Sequence, residues 1–81
     1  MKINKKVAFS ETGFVYDTST GDSYSLNPIG LEIIEYLRKG KDLDDIIKIL
    51  LEKYEVSKTV LEKSLNDFIS SLRTFKILID E

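Results

Sequence analysis

The chain has 81 residues, of which 42% are hydrophobic and 32% charged, with a formal net charge of −2. A chain this short makes one domain, residues 1–81, and buries only about 60–65% of the surface its unfolded form exposes; a stability of roughly 3–5 kcal/mol follows, with little room for a deep substrate cavity. It contains no cysteine and no histidine, which removes disulfides, thiolate nucleophiles, imidazole bases and nearly every structural zinc site.

The pI near 5.1 argues against nucleic acid as a partner, because such proteins carry a basic stripe and a basic balance. The start, Met1-Lys2-Ile3-Asn4-Lys5-Lys6, is basic but leads into no apolar segment, so it does not read as a signal peptide. No apolar run approaches the ~20 residues that span a bilayer. The lack of a disulfide framework fits a reducing cytoplasm.

The front of the chain alternates. Ile3, Lys5, Val7 and Phe9 share one side of a first predicted strand, with Ala8 on the other. Gly13 restarts an extended run in which Phe14 and Tyr16 face one way and Val15 the other. Thr18-Ser19-Thr20-Gly21 reads as a hairpin turn, with Gly21 available for positive φ. Asp22-Ser23-Tyr24-Ser25-Leu26 follows as a third strand, with Tyr24 and Leu26 on one face and Ser23 and Ser25 on the other. A meander this small cannot stand alone, so its apolar face must lie on helices.

Asn27 is a good helix N-cap, and Pro28 suits the first helical position, where its missing N–H costs nothing. Ile29, Ile33 and Leu37 then recur at helical spacing beside Ile34, and Gly40 is placed to cap the C-terminus in the left-handed region. A second helix opens at Asp42, with Asp45 in a capping-box-like position. Leu43, Ile46, Ile47, Leu50 and Tyr54 form its expected buried stripe. The third spans Ser57 to Thr74, with Val56 and Leu61 spaced as a hydrophobic staple. Leu61, Leu65, Phe68, Ile69 and Leu72 share its core face, and Phe75 lies near the edge. Ile77-Leu78-Ile79 reads as a short strand or a packed tail. The fold class is therefore α+β: a three-stranded antiparallel sheet followed by three helices, in a winged helix-turn-helix-like arrangement.

The stretch Thr20-Gly21-Asp22-Ser23-Tyr24-Ser25-Leu26-Asn27-Pro28-Ile29-Gly30 resembles the signature of the PqqD family: a turn glycine, a tyrosine, Leu-Asn, then a small residue opening an apolar helix. Leu43-Asp44-Asp45-Ile46-Ile47, Leu50 and Tyr54-Glu55-Val56 are similar to that family's second helix and its exit. Val60, Phe68, Leu72 and Ile77-Leu78 are similar to its third helix and tail. Two departures stand out. An aromatic, commonly tryptophan, often occupies the first helix in the family where this chain has Ile34 or Tyr36, and a glycine often precedes the last apolar pair where this chain has Phe75-Lys76.

The resemblance implies a RiPP recognition element, which binds the leader of a ribosomally made, post-translationally modified peptide. It implies that the leader adds as a strand beside the third strand, in a groove against the third helix. The implied partners are a precursor leader peptide and a modifying enzyme, such as a radical SAM protein, a cyclase or a leader peptidase. Neither a nucleic acid, a membrane, a cofactor, a metal nor a catalytic residue is implied. The state is a monomer, or a dimer that exchanges its exposed strands.

The residues permit this mode. Ser23-Tyr24-Ser25-Leu26 has no proline and no dense charge, as an acceptor edge requires. The expected peptide-binding set is Asp22, Ser23, Tyr24, Ser25 and Leu26, with Val60, Leu61, Ser64, Leu65, Phe68 and Ser71 from the third helix. Four to six added backbone bonds at a net ~0.5–1.5 kcal/mol each and two buried side chains at ~1.5–3 kcal/mol each oppose an ordering cost of ~2–5 kcal/mol or more. The surplus, about −8 kcal/mol, is low-micromolar binding.

Simpler roles account for the other groups. Asp44 and Asp45 favour a helix dipole in a first turn. Asp22 and Asp80-Glu81 are isolated carboxylates, and Lys2, Lys5 and Lys6 are a solvated basic terminus. Two rival functions share the pattern. A winged-helix DNA regulator would read DNA with Ser57–Thr74, whose Lys58, Lys63 and Arg73 are countered by Glu62 and Asp67. An adaptor subunit would bind the enzyme rather than the peptide.

Overall fold

The computed structural model describes residues 2–80. Met1 and Glu81 lie outside the described residues, so only Asp80 of the terminal acidic pair is seen. The elements run β1 (Lys2–Ile3), β2 (Val7–Phe9), β3 (Phe14–Asp17), β4 (Ser23–Ser25), α1 (Pro28–Arg38), α2 (Leu43–Lys53), α3 (Lys58–Thr74) and β5 (Leu78–Ile79). The antiparallel meander β2-β3-β4 and the three helices give the expected α+β architecture. Among the described residues, no helix is long and apolar enough to cross a membrane.

The first strand differs from its expected form. The alternating run from Ile3 to Phe9 is cut at Asn4, whose side-chain oxygen accepts from the Lys6 amide at 3.0 Å and whose carbonyl accepts from the Val7 amide at 3.1 Å. This turn sends Lys2–Ile3 to a different sheet, where Lys2 faces Ile79 and Ile3 faces Leu78 in antiparallel register. The Asn4 side-chain amide also donates to the Lys76 carbonyl at 2.9 Å. Ile77-Leu78-Ile79 therefore ends in a strand, and the two ends of the chain are stitched together.

Register in the meander decides which face is buried. Val15 stands opposite Tyr24 and Phe9, and Val15 is fully buried. Phe14 and Tyr16 point the other way and remain 54% and 47% exposed. Tyr24 and Leu26 are partly buried against the core, as their alternation predicts. The hairpin turn is held by Asp17, whose carboxylate accepts from the Ser19 amide at 2.9 Å, the Ser19 hydroxyl at 2.7 Å and the Thr20 amide at 3.3 Å. These bonds, the Ser19 hydroxyl first, hold the Asp17 carboxyl below its ordinary pKa. Gly21 takes the positive φ expected of it, +81°.

Each helix starts where a capping side chain stands. Asn27, Asp42 and Ser57 accept from the amides of Gly30, Asp45 and Val60 at 2.7, 2.8 and 3.2 Å. Each bond satisfies one of the amides that a helix start leaves unpaired. Ile33 and Ile34 of α1, Ile46 and Leu50 of α2, and Leu65, Ile69 and Leu72 of α3 form one cluster with Val7, Val15, Ile77 and Leu78.

Two residues expected in the stripes, Ile29 and Tyr54, stay exposed, and Tyr54 for a reason of its own. It is the extended C-cap of α2, not a core residue, and stays 37% exposed. Its hydroxyl cannot be buried without a partner, and the partner is the largely shielded carboxylate of Glu32 on α1.

Both α1 and α3 end in the same way. After α1, Lys41 N–H donates to the Tyr36 carbonyl and Gly40 N–H to the Leu37 carbonyl, with Gly40 at φ +84°. After α3, Ile77 N–H donates to the Leu72 carbonyl and Lys76 N–H to the Arg73 carbonyl, with Lys76 at φ +58°. These are Schellman caps, whose pivot is left-handed and favours glycine. Lys76 fills a glycine-favouring position with a Cβ-bearing residue. Lys76→Gly is expected to stabilise the chain by up to about 1 kcal/mol, read as a higher urea midpoint with an unchanged m-value. Gly13, at φ +91°, has room for no Cβ, because one would sit 2.9 Å from the Leu26 carbonyl oxygen. Gly13→Ala is expected to cost about 1–3 kcal/mol in the same assay.

Candidate functional site

The meander has two margins, β2 and β4. Within it, Leu26 N–H donates to the Gly13 carbonyl and Asp17 N–H to the Asp22 carbonyl. Antiparallel pairing alternates residue by residue, so Asp22, Tyr24 and Leu26 turn their backbone groups toward β3. Ser23 and Ser25 turn theirs outward. Among the described residues, no backbone bond joins Ser23 or Ser25 to another element on that side. The β4 margin is thus open, and its side chains are small.

The β4 margin, unlike β2, leads into an apolar cleft. The chain leaves β4 through Leu26 and Asn27 directly into α1. There a cavity of about 270 Å³ is lined by Asn27, Ile29, Gly30 and Ile33 on one side and by Leu61, Ser64, Leu65 and Phe68 on the other. Gly30 lets α1 and α3 come close: a Cβ there would lie 3.3 Å from the Phe68 ring. At the middle of β4, the Tyr24 and Phe75 rings pack with centroids 4.6 Å apart and planes tilted 34°. An aromatic pair offset in this way is favourable beyond the area it buries. It ties β4 to the end of α3.

Of the α3 positions expected at the site, Leu61, Ser64, Leu65 and Phe68 line this cleft. Val60 and Ser71 do not. Val60 is 57% exposed, and the Ser71 hydroxyl turns back to donate to the Asp67 carbonyl at 3.1 Å. The α1 contribution was missed by sequence reasoning, because Asn27 reads fully as a cap, Ile33 as core and Gly30 as a small residue. Ile29, 44% exposed at the start of an otherwise buried stripe, is the one of these whose exposure sets it apart.

A second cavity, about 340 Å³, opens beside the first and shares Ile29, Leu61 and Ser64 with it; its other walls are Leu50, Tyr54, Glu55 and Val56. One of those walls, Tyr54, is held by Glu32 of α1. The Glu32 carboxylate accepts from the Tyr36 hydroxyl at 2.6 Å, the Tyr54 hydroxyl at 2.8 Å and the Lys53 ammonium at 2.9 Å. The Glu32 side chain is 17% exposed, so these bonds are shielded from water on most sides. The Tyr36 hydroxyl, then Lys53 and Tyr54, hold Glu32 below its ordinary pKa against the opposing effect of burial. The same bonds to Glu32 raise the pKa of both tyrosines and of Lys53.

A carboxylate depressed in the folded state stabilises fully above its ordinary pKa, and that stability is lost as pH falls through the lowered value. Unfolding free energy is therefore expected to hold steady above pH 4.5 and to drop below it, the ordinary value for glutamate. Glu32→Gln is expected to cost about 1–2 kcal/mol at neutral pH and to flatten the acid limb, leaving the part due to Asp17. Urea titrations between pH 2 and 7 check both.

No curated protein matches the chain. Among solved structures, that of TbiB1 in complex with the TbiA(beta) leader peptide has a TM-score of 0.89 and 25% identity, covering 100% of this chain and 98% of that one. That of lasso peptide synthetase B1 complexed with the leader peptide has a TM-score of 0.86 and 23% identity, covering 98% of this chain and 96% of that one. The model of the family described as coenzyme PQQ synthesis protein D (PqqD) matches residues 12–78. The match takes in β3, β4 and all three helices, and with them every residue of the open margin and the cleft: the chain belongs to the PqqD family.

Proposed function

We propose that the chain is a RiPP recognition element. It captures the leader of a ribosomally made precursor peptide by strand addition to β4 and presents it, in the cytoplasm, to a modifying enzyme or leader peptidase. The observation that carries this reading is the unpaired β4 margin running into the apolar cleft between α1 and α3. Ser23 and Ser25 each offer one N–H and one C=O, so the margin itself supplies four backbone bonds. Bonds of this kind bind any extended peptide, and the cleft then selects by side chain. The two solved relatives, both in complex with a leader peptide, support the same reading. The chain itself does no chemistry in this role; the reaction belongs to the partner enzyme.

The geometry gives less to a DNA-binding role. On α3, Lys58 pairs with Glu62 at 3.9 Å and Arg73 with Asp80 at 3.3 Å. Each of these cations has a carboxylate beside it, and the overall charge of −2 repels phosphate.

The test is a titration of the isotopically labelled chain with the synthetic leader of the precursor encoded beside its gene. Amide signals of Ser23, Tyr24 and Ser25 are expected to shift in a saturable way with a micromolar Kd, and signals of Leu61, Leu65 and Phe68 to follow. Ser25→Pro removes one outward N–H from an edge where proline is tolerated and is expected to weaken binding at least tenfold. Unmoved Ser23–Ser25 signals at a saturating leader concentration would overturn the proposal.

A further inference from the structure

We infer that the second cavity is a side-chain subsite for the same leader peptide, taking one large apolar residue from outside the segment that pairs with β4. This rests on the leader-binding reading and adds a site to it. The occupant follows from adjacency: Ile29, Leu61 and Ser64 wall both cavities, so a peptide lying in the first has the second directly beside it. Nothing from β4 contributes to the second cavity. Nor does Asn27, which joins β4 to the first cavity, so a residue seated there lies farther from β4 than one in the first.

The walls set the chemistry of the guest. Leu50, Val56 and Leu61 are aliphatic, and the Tyr54 ring closes one side. Tyr54 is held there because its hydroxyl donates to Glu32 at 2.8 Å, and this bond also satisfies the one polar atom that a phenol would otherwise leave for the guest. Ile29 and Tyr54 stand 44% and 37% exposed at the mouth, apolar surface that a guest side chain would remove from water. The volume of about 340 Å³ is ample for one leucine-, isoleucine- or phenylalanine-sized side chain. The Glu55 carboxylate at the rim disfavours an acidic neighbour on the peptide.

The probe is the synthetic leader of the precursor encoded beside the gene, titrated calorimetrically into the wild type, V56W, which narrows the second cavity with an indole, and S25P, which blocks the strand margin. V56W is expected to bind at least tenfold more weakly, the loss of one buried apolar side chain. A scan of the peptide is expected to find one large apolar residue outside the β4-paired segment whose change to alanine costs the same factor with the wild type and nothing further with V56W. Because the scan alters only the peptide, it decides the matter even where V56W does not fold, together with methyl signals of Leu50 and Val56, which are expected to move on titration.

Wild-type affinity in V56W, or unmoved Leu50 and Val56 methyls at saturation, would overturn the subsite while S25P still reports on strand addition. Undiminished binding by S25P would instead overturn strand addition itself. Concentration-dependent dimerisation of the wild type that V56W abolishes would assign the cavity to a second copy of the chain and overturn the subsite.

Discussion

A sheet of three strands, each three or four residues long, cannot bury enough surface to hold its shape in water. It persists here because one face, carried by Val15 and flanked by Phe9, Tyr24 and Leu26, is part of the same cluster as the helical core. Support from one face fixes the sheet in place but covers neither of its long margins. The recognition surface follows from this economy. β4 is anchored through Tyr24 and Leu26, and its outward backbone groups at Ser23 and Ser25 stay free for a guest.

An exposed edge is a hazard as well as an opportunity, since any extended chain can pair with it. Here the edge is only three residues long, which limits pairing with other copies. Affinity then has to come from the neighbouring side-chain sites. The α1–α3 cleft supplies apolar surface that an unrelated strand would have to match. Short backbone pairing combined with pockets gives a binder that is selective and yet reversible, as a module that hands its cargo to an enzyme must be.

The cleft depends in turn on two arrangements away from the sheet. Gly30 permits the approach of α1 to Phe68. Glu32 ties α1 to the end of α2 through Lys53 and Tyr54. A single carboxylate accepting three donors is a stronger tie than a surface ion pair, because it is mostly shielded and every bond is charge-assisted. The Tyr24–Phe75 stack does corresponding work for the sheet, joining the middle of β4 to the end of α3. Between these ties the groove keeps its width with no backbone pairing across it.

Much of this was legible in the order of the residues. Asn27-Pro28, Asp42 and Ser57 mark the helix starts because a cap acts within three residues of itself. The Tyr24/Leu26 against Ser23/Ser25 alternation and the Asp17–Gly21 turn are equally local, and they place β4 and its polar face. What sequence could not decide are interactions between groups distant in the chain. Lys2–Ile3 reads as the start of the first strand until Asn4 turns it toward β5, 72 residues from Asn4 to Lys76. Tyr54 fits a buried stripe by spacing, and only the position of Glu32, 22 residues earlier, shows why its hydroxyl stays at the surface. Val60 and Ser71 share the helical flank of Ser64, yet they miss the cleft because its other wall is α1, whose approach is set by packing at Gly30. Local hydrogen bonding and periodicity determine which elements form and which way their side chains alternate. Which margin stays open, and what lines the space beside it, is decided only when the elements pack, because those contacts depend on the position of every element at once.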